Sequence, residues 1–230
     1  MPNRPSDASH APIESSSRAP LRVTSPPILI GTFAGTARQS RVTEPLLTAP
    51  PLSSLDHARG DPEATRVLIE YGDYQCPFCA AAEPVVVEVL RRHDRGLMQA
   101  FRHFPLEAIH PMASPAAETA EFAASQGDFW SMHGALMANS ASLSLPLIFN
   151  LAALLGHSTR LLRDALISGA EAAKVRRDFA MGLHSGVQGT PTFFIDGALY
   201  VGPITADALT DALNRPAGAM SASPKMAIRR

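Results

Sequence analysis

Arg66-Val67-Leu68-Ile69-Glu70-Tyr71-Gly72-Asp73-Tyr74-Gln75-Cys76-Pro77-Phe78-Cys79 is the stretch on which the rest of the chain hangs. Its first six residues are rich in β-branched and aromatic side chains, bounded by Asp61-Pro62 before and Gly72-Asp73 after, and read as a buried strand. Cys76-Pro77-Phe78-Cys79 then opens a helix that runs to Arg92, with Pro77 tolerated in the first turn. Pro84 inside that helix removes one backbone bond and predicts a kink. The chain's 2 cysteines both lie in this motif. A disulfide between them closes so short a loop that it restricts the unfolded chain little, which makes stapling a poor explanation and reversible thiol–disulfide chemistry the better one. The first cysteine sits where unpaired N–H groups and the helix dipole favour a thiolate. Its pKa is expected to fall from about 8.5 into the range of roughly 3.5 to 7.5. Cys76 is therefore expected to be the exposed nucleophile. Cys79, one turn deeper, is placed to resolve a mixed disulfide.

Working outward, Leu97 to Phe104 reads as a second strand. Helical periodicity follows in Pro115 to Gln126, in a helix carrying Phe129, Trp130, Met132 and Leu136 that Asp128 can cap, and in Pro146 to Leu155, Thr159 to Ser168 and Ala170 to Leu183. After Gly186 the period becomes that of strands. Thr192 to Ile195 and Ala198 to Val201 flank Asp196-Gly197, a strong hairpin signal. A last helix, capped by Thr205, runs to Asn214. The order is β-α-β, a block of helices, then β-β-α.

The ends differ. Residues 1–55 are Ser/Pro-rich, broken by Ala19-Pro20, Ser25-Pro26-Pro27 and Ala49-Pro50-Pro51, and read as a disordered leader. Ile28-Leu29-Ile30 with the small residues after it has a faint secretory look, but no compact basic region leads directly into a long apolar run. Residues 216–230 read as a frayed tail. Over the whole chain, 46% hydrophobic and 18% charged residues suit a soluble globular core. A net charge of -1 with mixed signs excludes a nucleic-acid footprint. The most apolar stretch, Leu143 to Leu155, is interrupted by Ser144, Pro146 and Asn150 and falls short of the roughly 18 residues of a membrane span.

A structural zinc half-site is the bland alternative for the cysteine pair. It needs four ligands, and the 8 histidines supply no second pair at three-to-five spacing, so no metal is expected. His103, His110, His133 and His184 read as lone structural histidines, with His103 the one that could approach an active face.

These residues resemble the DsbA-type branch of the thioredoxin superfamily, over about Asp56 to Asn214. The resemblance is carried by Glu70-Tyr71-Gly72-Asp73, the Cys76-Pro77-Phe78-Cys79 motif, Phe101-Arg102-His103-Phe104-Pro105-Leu106 and Gly186-Val187 with Gly189-Thr190-Pro191-Thr192. It is particularly similar to bacterial members that occur fused to sodium/proton antiporters. The resemblance implies an α/β thioredoxin fold at residues 56–215, a central mixed β-sheet flanked by helices. An α-helical insertion, about 112–184, would separate the βαβ and ββα halves. It implies a cis-proline loop at Pro191, beside the nucleophile, with the Thr190 backbone pairing with an extended substrate. The other reading of Pro191 is an ordinary loop proline. It implies for Glu70 the buried carboxylate that moves protons to and from the second cysteine, against the plainer reading of a surface glutamate at a strand end. Phe78, with Pro77 beside it, is expected to touch substrate.

One departure matters: Phe78 stands where strongly oxidising periplasmic relatives carry histidine. It offers the Cys76 thiolate neither charge nor ring N–H, which implies a milder oxidant. The expected function is a thiol–disulfide oxidoreductase acting on cysteine-containing proteins or peptides, reset by a redox partner and needing no cofactor. Two rivals stay open: a glutathione-linked transferase or isomerase on the same fold, and a non-catalytic redox-sensing binding module. A cytoplasmic location is expected, with a periplasmic or exported one left open, since compartment poise sets the direction.

Overall fold

The computed structural model describes residues 48–93 and 95–216. The apolar patch at 28–37, most of the expected leader and the expected tail beyond Pro216 lie outside the described residues. Strands β1 (His57–Gly60) and β2 (Arg66–Gly72), helix α1 (Pro77–Arg92) and strand β3 (Leu97–His103) form the first half. Helices α2 (Ala113–Ala124), α3 (Phe129–Ala138), α4 (Leu145–Leu154), α5 (Thr159–Ser168) and α6 (Ala172–His184) follow. Strands β4 (Thr192–Ile195) and β5 (Ala198–Leu199) and helix α7 (Ala206–Leu213) complete the chain.

The sheet order is β1-β3-β2-β4-β5. β2 pairs parallel with β3, setting Glu70 opposite Phe101 and Gly72 opposite His103, and antiparallel with β4. β1 and β5 add antiparallel to β3 and β4, so the sheet is mixed. A central strand covered on both faces carries a continuous apolar run rather than an alternation, which is why Val67-Leu68-Ile69 was legible.

The two faces bury different partners. Leu68, Phe193 and Ile195 pack with Val86 and Val89 of α1 and Leu209 and Leu213 of α7. Ile69, Tyr71, Ala100 and Phe104 gather on the other face with Val187 and Phe194. The inserted helices have a core of their own, including Ala120, Met132, Leu136, Ile148 and Leu162. It reaches the sheet through Phe101 and Tyr74 and takes in both cysteines.

Local chemistry explains most element ends. Ser144, Ser158 and Thr205 accept hydrogen bonds from Leu147, Leu161 and Ala208 N–H groups and so cap α4, α5 and α7. Asp196 and Gly197 turn the hairpin with φ of 49° and 82°, as a two-residue loop requires. Helix α1 stays helical through Pro84 to Arg92.

Four expectations are corrected. Asp128 stands at the N-cap of α3 but makes no capping bond; its carboxylate accepts from His157 Nε2 at 3.1 Å instead, tying α3 to the loop before α5. The second hairpin strand stops at Leu199 rather than Val201. Strand β1 was not foreseen. The supposed leader does not extend to residue 55: Thr48 bridges to Ala198, and the Ala49 N–H donates to the Gly197 carbonyl at 2.8 Å.

What holds this strap is Arg102, whose side chain is 1% exposed, as is that of Asp56. Its guanidinium donates to both Asp56 oxygens at 2.7 and 3.1 Å, to the carbonyls of Pro50 and Pro51 at 3.1 and 3.2 Å, and to the Tyr71 hydroxyl at 3.1 Å. Breaking a buried pair leaves an uncompensated charge, worth about 3–5 kcal/mol. Asp56→Asn is therefore expected to lower the unfolding free energy by about that amount in urea titrations at neutral pH. A loss under about 1 kcal/mol, the range of exposed pairs, would show that the strap is not tied by this charge.

Candidate active site

The site begins where β2 ends. Gly72 permits the close approach of Phe101, whose ring lies 2.3 Å from where a Cβ would stand. Asp73 comes next, and its buried carboxylate organises the loop. Oδ1 accepts from Gln75 N–H at 2.7 Å, and Oδ2 accepts from Leu106 N–H at 2.9 Å and from His110 Nδ1 at 2.8 Å. The Asp73 N–H points at Cys79 Sγ, 3.4 Å away, while its carbonyl accepts from Cys76 N–H at 3.1 Å. Gln75 Oε1 accepts from Met112 N–H at 2.6 Å, fastening the loop to the start of the insertion.

Cys76 is the N-cap residue of α1, and its carbonyl accepts the first helical bond from Ala80. Its Sγ lies 3.4 Å from the carbonyl oxygen of Thr190, and the Thr190–Pro191 peptide bond is cis. The two halves of the fold therefore meet at this sulfur. Cys76 was expected to be exposed but is only 3% exposed, because the Thr190 loop closes over it; Phe78 beside it is 71% exposed. Pro77 is exposed, and Thr190 and Pro191 are half-buried. Gly186, Gln188, Gly189, Thr190, Pro191 and Leu199 line a groove of about 430 Å³ alongside.

Both cysteines are free thiols. Hydrogen bonding from the Cys79 thiol is the largest influence on Cys76. Burial works against it, while Thr190 and the backbone N–H groups of Cys79 and Phe78 add to it, and the Cys76 pKa falls to about 5. The same contact, then burial, then the charge of Glu70 push the Cys79 thiol far up. One sulfur is ionised at neutral pH and the other holds its proton.

Glu70 is 1% exposed, and among the described residues neither carboxylate oxygen has a hydrogen-bond partner. Burial is the main reason its pKa rises to about 8, with the charge of Glu83 adding to it and that of Arg59 opposing. The surface reading of Glu70 is excluded.

Glu83, Arg59 and Tyr74 were not singled out from sequence. Glu83 accepts from Arg59 Nη2 at 3.0 Å and from His133 Nε2 at 3.1 Å, and the Tyr74 hydroxyl meets His133 Nδ1 at 3.1 Å. Burial would raise the Glu83 carboxyl, but the His133 hydrogen bond and the charge of Arg59 hold it below its usual range. Burial lowers the His133 pKa, so the neutral ring donates through Nε2 and accepts at Nδ1. The available sequence signal was the spacing of Glu83, one turn beyond Cys79. The remaining histidines are engaged elsewhere: His103 with Glu121 at 2.7 Å, His110 with Asp73, and His184 with the Ala180 carbonyl at 2.7 Å.

Comparison with known proteins agrees with this architecture. The family described as Thioredoxin matches residues 53–215. A Na(+)/H(+) antiporter NhaA 3 of Salinispora tropica is 39% identical over 158 residues, 69% of this chain but 24% of that protein; the chain thus spans about a quarter of the curated relatives it matches. Among solved structures, a thioredoxin-like oxidoreductase from Silicibacter pomeroyi superposes with a TM-score of 0.65 at 26% identity, covering 74% of this chain and 95% of that one. Wolbachia pipientis alpha-DsbA1 shares the fold with a TM-score of 0.61 at 22% identity, covering 71% of this chain and 90% of that one. A cysteine pair at a strand–helix junction, a cis-proline loop against it and a matching family profile lead to one conclusion: this chain belongs to the thioredoxin family, with α2–α6 inserted between β3 and β4.

Proposed function

We propose that this chain exchanges disulfides with cysteine-containing proteins or peptides, with Cys76 as nucleophile and Cys79 as resolving thiol. The observation that carries the reading is the contact between the low-pKa sulfur of Cys76 and the Thr190 loop, over a buried and unpartnered Glu70.

In the reducing direction the Cys76 thiolate attacks one sulfur of a substrate disulfide. The second substrate sulfur leaves as a thiolate and takes a proton from solvent. Glu70, in its ionised form, then takes the Cys79 proton, and the Cys79 thiolate attacks Cys76 Sγ, forming the Cys76–Cys79 disulfide and expelling the remaining substrate thiolate. The oxidising direction is the same sequence reversed, and a dithiol or disulfide partner resets the pair. An extended substrate would lie along the groove, pairing with the Thr190 backbone beside Pro191, with Phe78 and Pro77 offering an apolar shelf.

The antiporter relatives support a second reading, in which the domain reports redox state to a transporter instead of turning over substrate. Cys76→Ser separates the two. As an oxidoreductase the variant loses dithiothreitol-driven insulin reduction; wild-type protein inert in that assay would leave the sensing role.

Titration of thiolate absorbance at 240 nm is expected to give Cys76 a midpoint of about 5. An ordinary thiol value would remove the nucleophile from the mechanism.

Glu70 makes a further prediction with a fixed sign. Its folded-state pKa of about 8 lies above the ordinary 4.5. Below pH 4.5 the group is protonated whether folded or unfolded. Between 4.5 and 8 the unfolded chain releases a proton the folded chain keeps, so the Glu70 contribution to stability falls as pH rises, against the opposite contribution of Cys76. The slope approaches about 1.4 kcal/mol per pH unit. Reduced Glu70→Gln should lose this slope, gaining on wild type as pH rises, and should accumulate mixed disulfide because resolution slows. A pH-independent difference would show that Glu70 ionises normally.

A further inference from the structure

Three side chains that the thiol chemistry does not use converge between the sheet and the insertion. His57 at the start of β1 and His103 at the end of β3 both direct Nε2 at a single oxygen, Glu121 Oε1 of α2, at 2.8 and 2.7 Å. The three donor atoms lie within 4.8 Å of one another. We propose that His57, His103 and Glu121 form a binding site for a borderline divalent cation of the zinc type, held by two imidazole nitrogens and one carboxylate oxygen with a solvent molecule in the fourth position.

The donor set suits such a cation, which takes imidazole and carboxylate ligands at about 2.0–2.2 Å. Tetrahedral ligands at that length stand roughly 3.3 Å apart, so the present contacts need open by only about 0.5 Å. The rings are oriented by packing: His57 stacks on Phe129 with centroids 3.7 Å apart, and His103 is flanked by Phe101 and Tyr74. Ring orientation therefore does not depend on the proton each Nε2 now carries. His103 is buried and its Nδ1 has no partner, so moving the ring proton there to free Nε2 breaks no bond at Nδ1. The His57 side chain is 19% exposed, which gives an entry path and room for the solvent ligand.

Lys174 is the competitor. Its Nζ lies 3.7 Å from Glu121 Oε1 but is held more closely by Asp178, so its charge is shared with a second carboxylate rather than spent on Glu121 alone. The site joins β1, β3 and α2, clamping the insertion to the sheet independently of the thiols.

The test uses the full chain with its active-site disulfide formed, so that thiols do not compete. Titration with Co2+ should give tetrahedral-type d–d absorption saturating at one equivalent, and Zn2+ should raise the melting temperature. His57→Ala, at the most accessible ligand, and Glu121→Gln should each weaken Co2+ binding by about 10–100-fold or more. Lys174→Met should bind at least as tightly as wild type. Absence of the bands in folded wild type, or bands unchanged in His57→Ala, would overturn the site and leave the cluster a hydrogen-bonded carboxylate bridge.

Discussion

The carboxylate of Asp73 is the constraint on which this architecture turns. It is buried, and burying a carboxylate is costly unless several donors converge on it. Here they come from three places: the N–H of Gln75 in its own loop, the N–H of Leu106 after β3, and the ring of His110 before α2. The chain between β2 and α1 is thereby fixed to the segment that leads into the insertion. Cys76 is left at the first turn of the helix, where backbone N–H groups meet its sulfur. The thiolate chemistry is thus a property of a loop geometry, and the loop geometry is a property of one acidic side chain.

Behind the thiols the protein places charge in graded degrees of compensation. Glu83 is met by Arg59 and His133 and stays ionised. Glu70, on the same side of the sheet, accepts no hydrogen bond from the described residues and holds a proton near neutrality. Two glutamates of the same intrinsic acidity are pulled apart by environment, the separation that our proposed proton transfer through Glu70 needs. Arg59 is itself braced, its guanidinium 4.2 Å above the Trp130 ring and its Nε on Gln99 Oε1 at 2.6 Å.

Much of this was legible in the sequence because the signals are local. The strand Arg66–Tyr71, the proline after Cys76, the cap at Thr205 and the Asp196-Gly197 turn each act within a few residues. What escaped is what depends on distant partners. His57–Gly60 is too short to alternate and becomes a strand only because β3 offers a ladder. Residues 48–55 have the composition of a linker, yet it is the carbonyls of Pro50 and Pro51, which composition does not reveal, that Arg102 binds. Asp128 sits where a cap belongs, and His157, 29 residues on, claims it. Likewise the histidines looked scattered because spacing along a chain says nothing about residues 57, 103 and 121 meeting across three elements.

The strap also bears on how the molecule behaves among other polypeptides. A sheet margin with free N–H and C=O groups invites foreign strands, and a protein that on our reading acts on extended polypeptide substrates meets many of them. Here β5 is two residues long and its hairpin end is occupied by Thr48 and Ala49, while the opposite margin, β1, offers four residues. Little ladder remains for an aggregating neighbour to grip. On the proposed reading, a client docked at the Thr190 turn would depart without recruiting its host into a growing fibre.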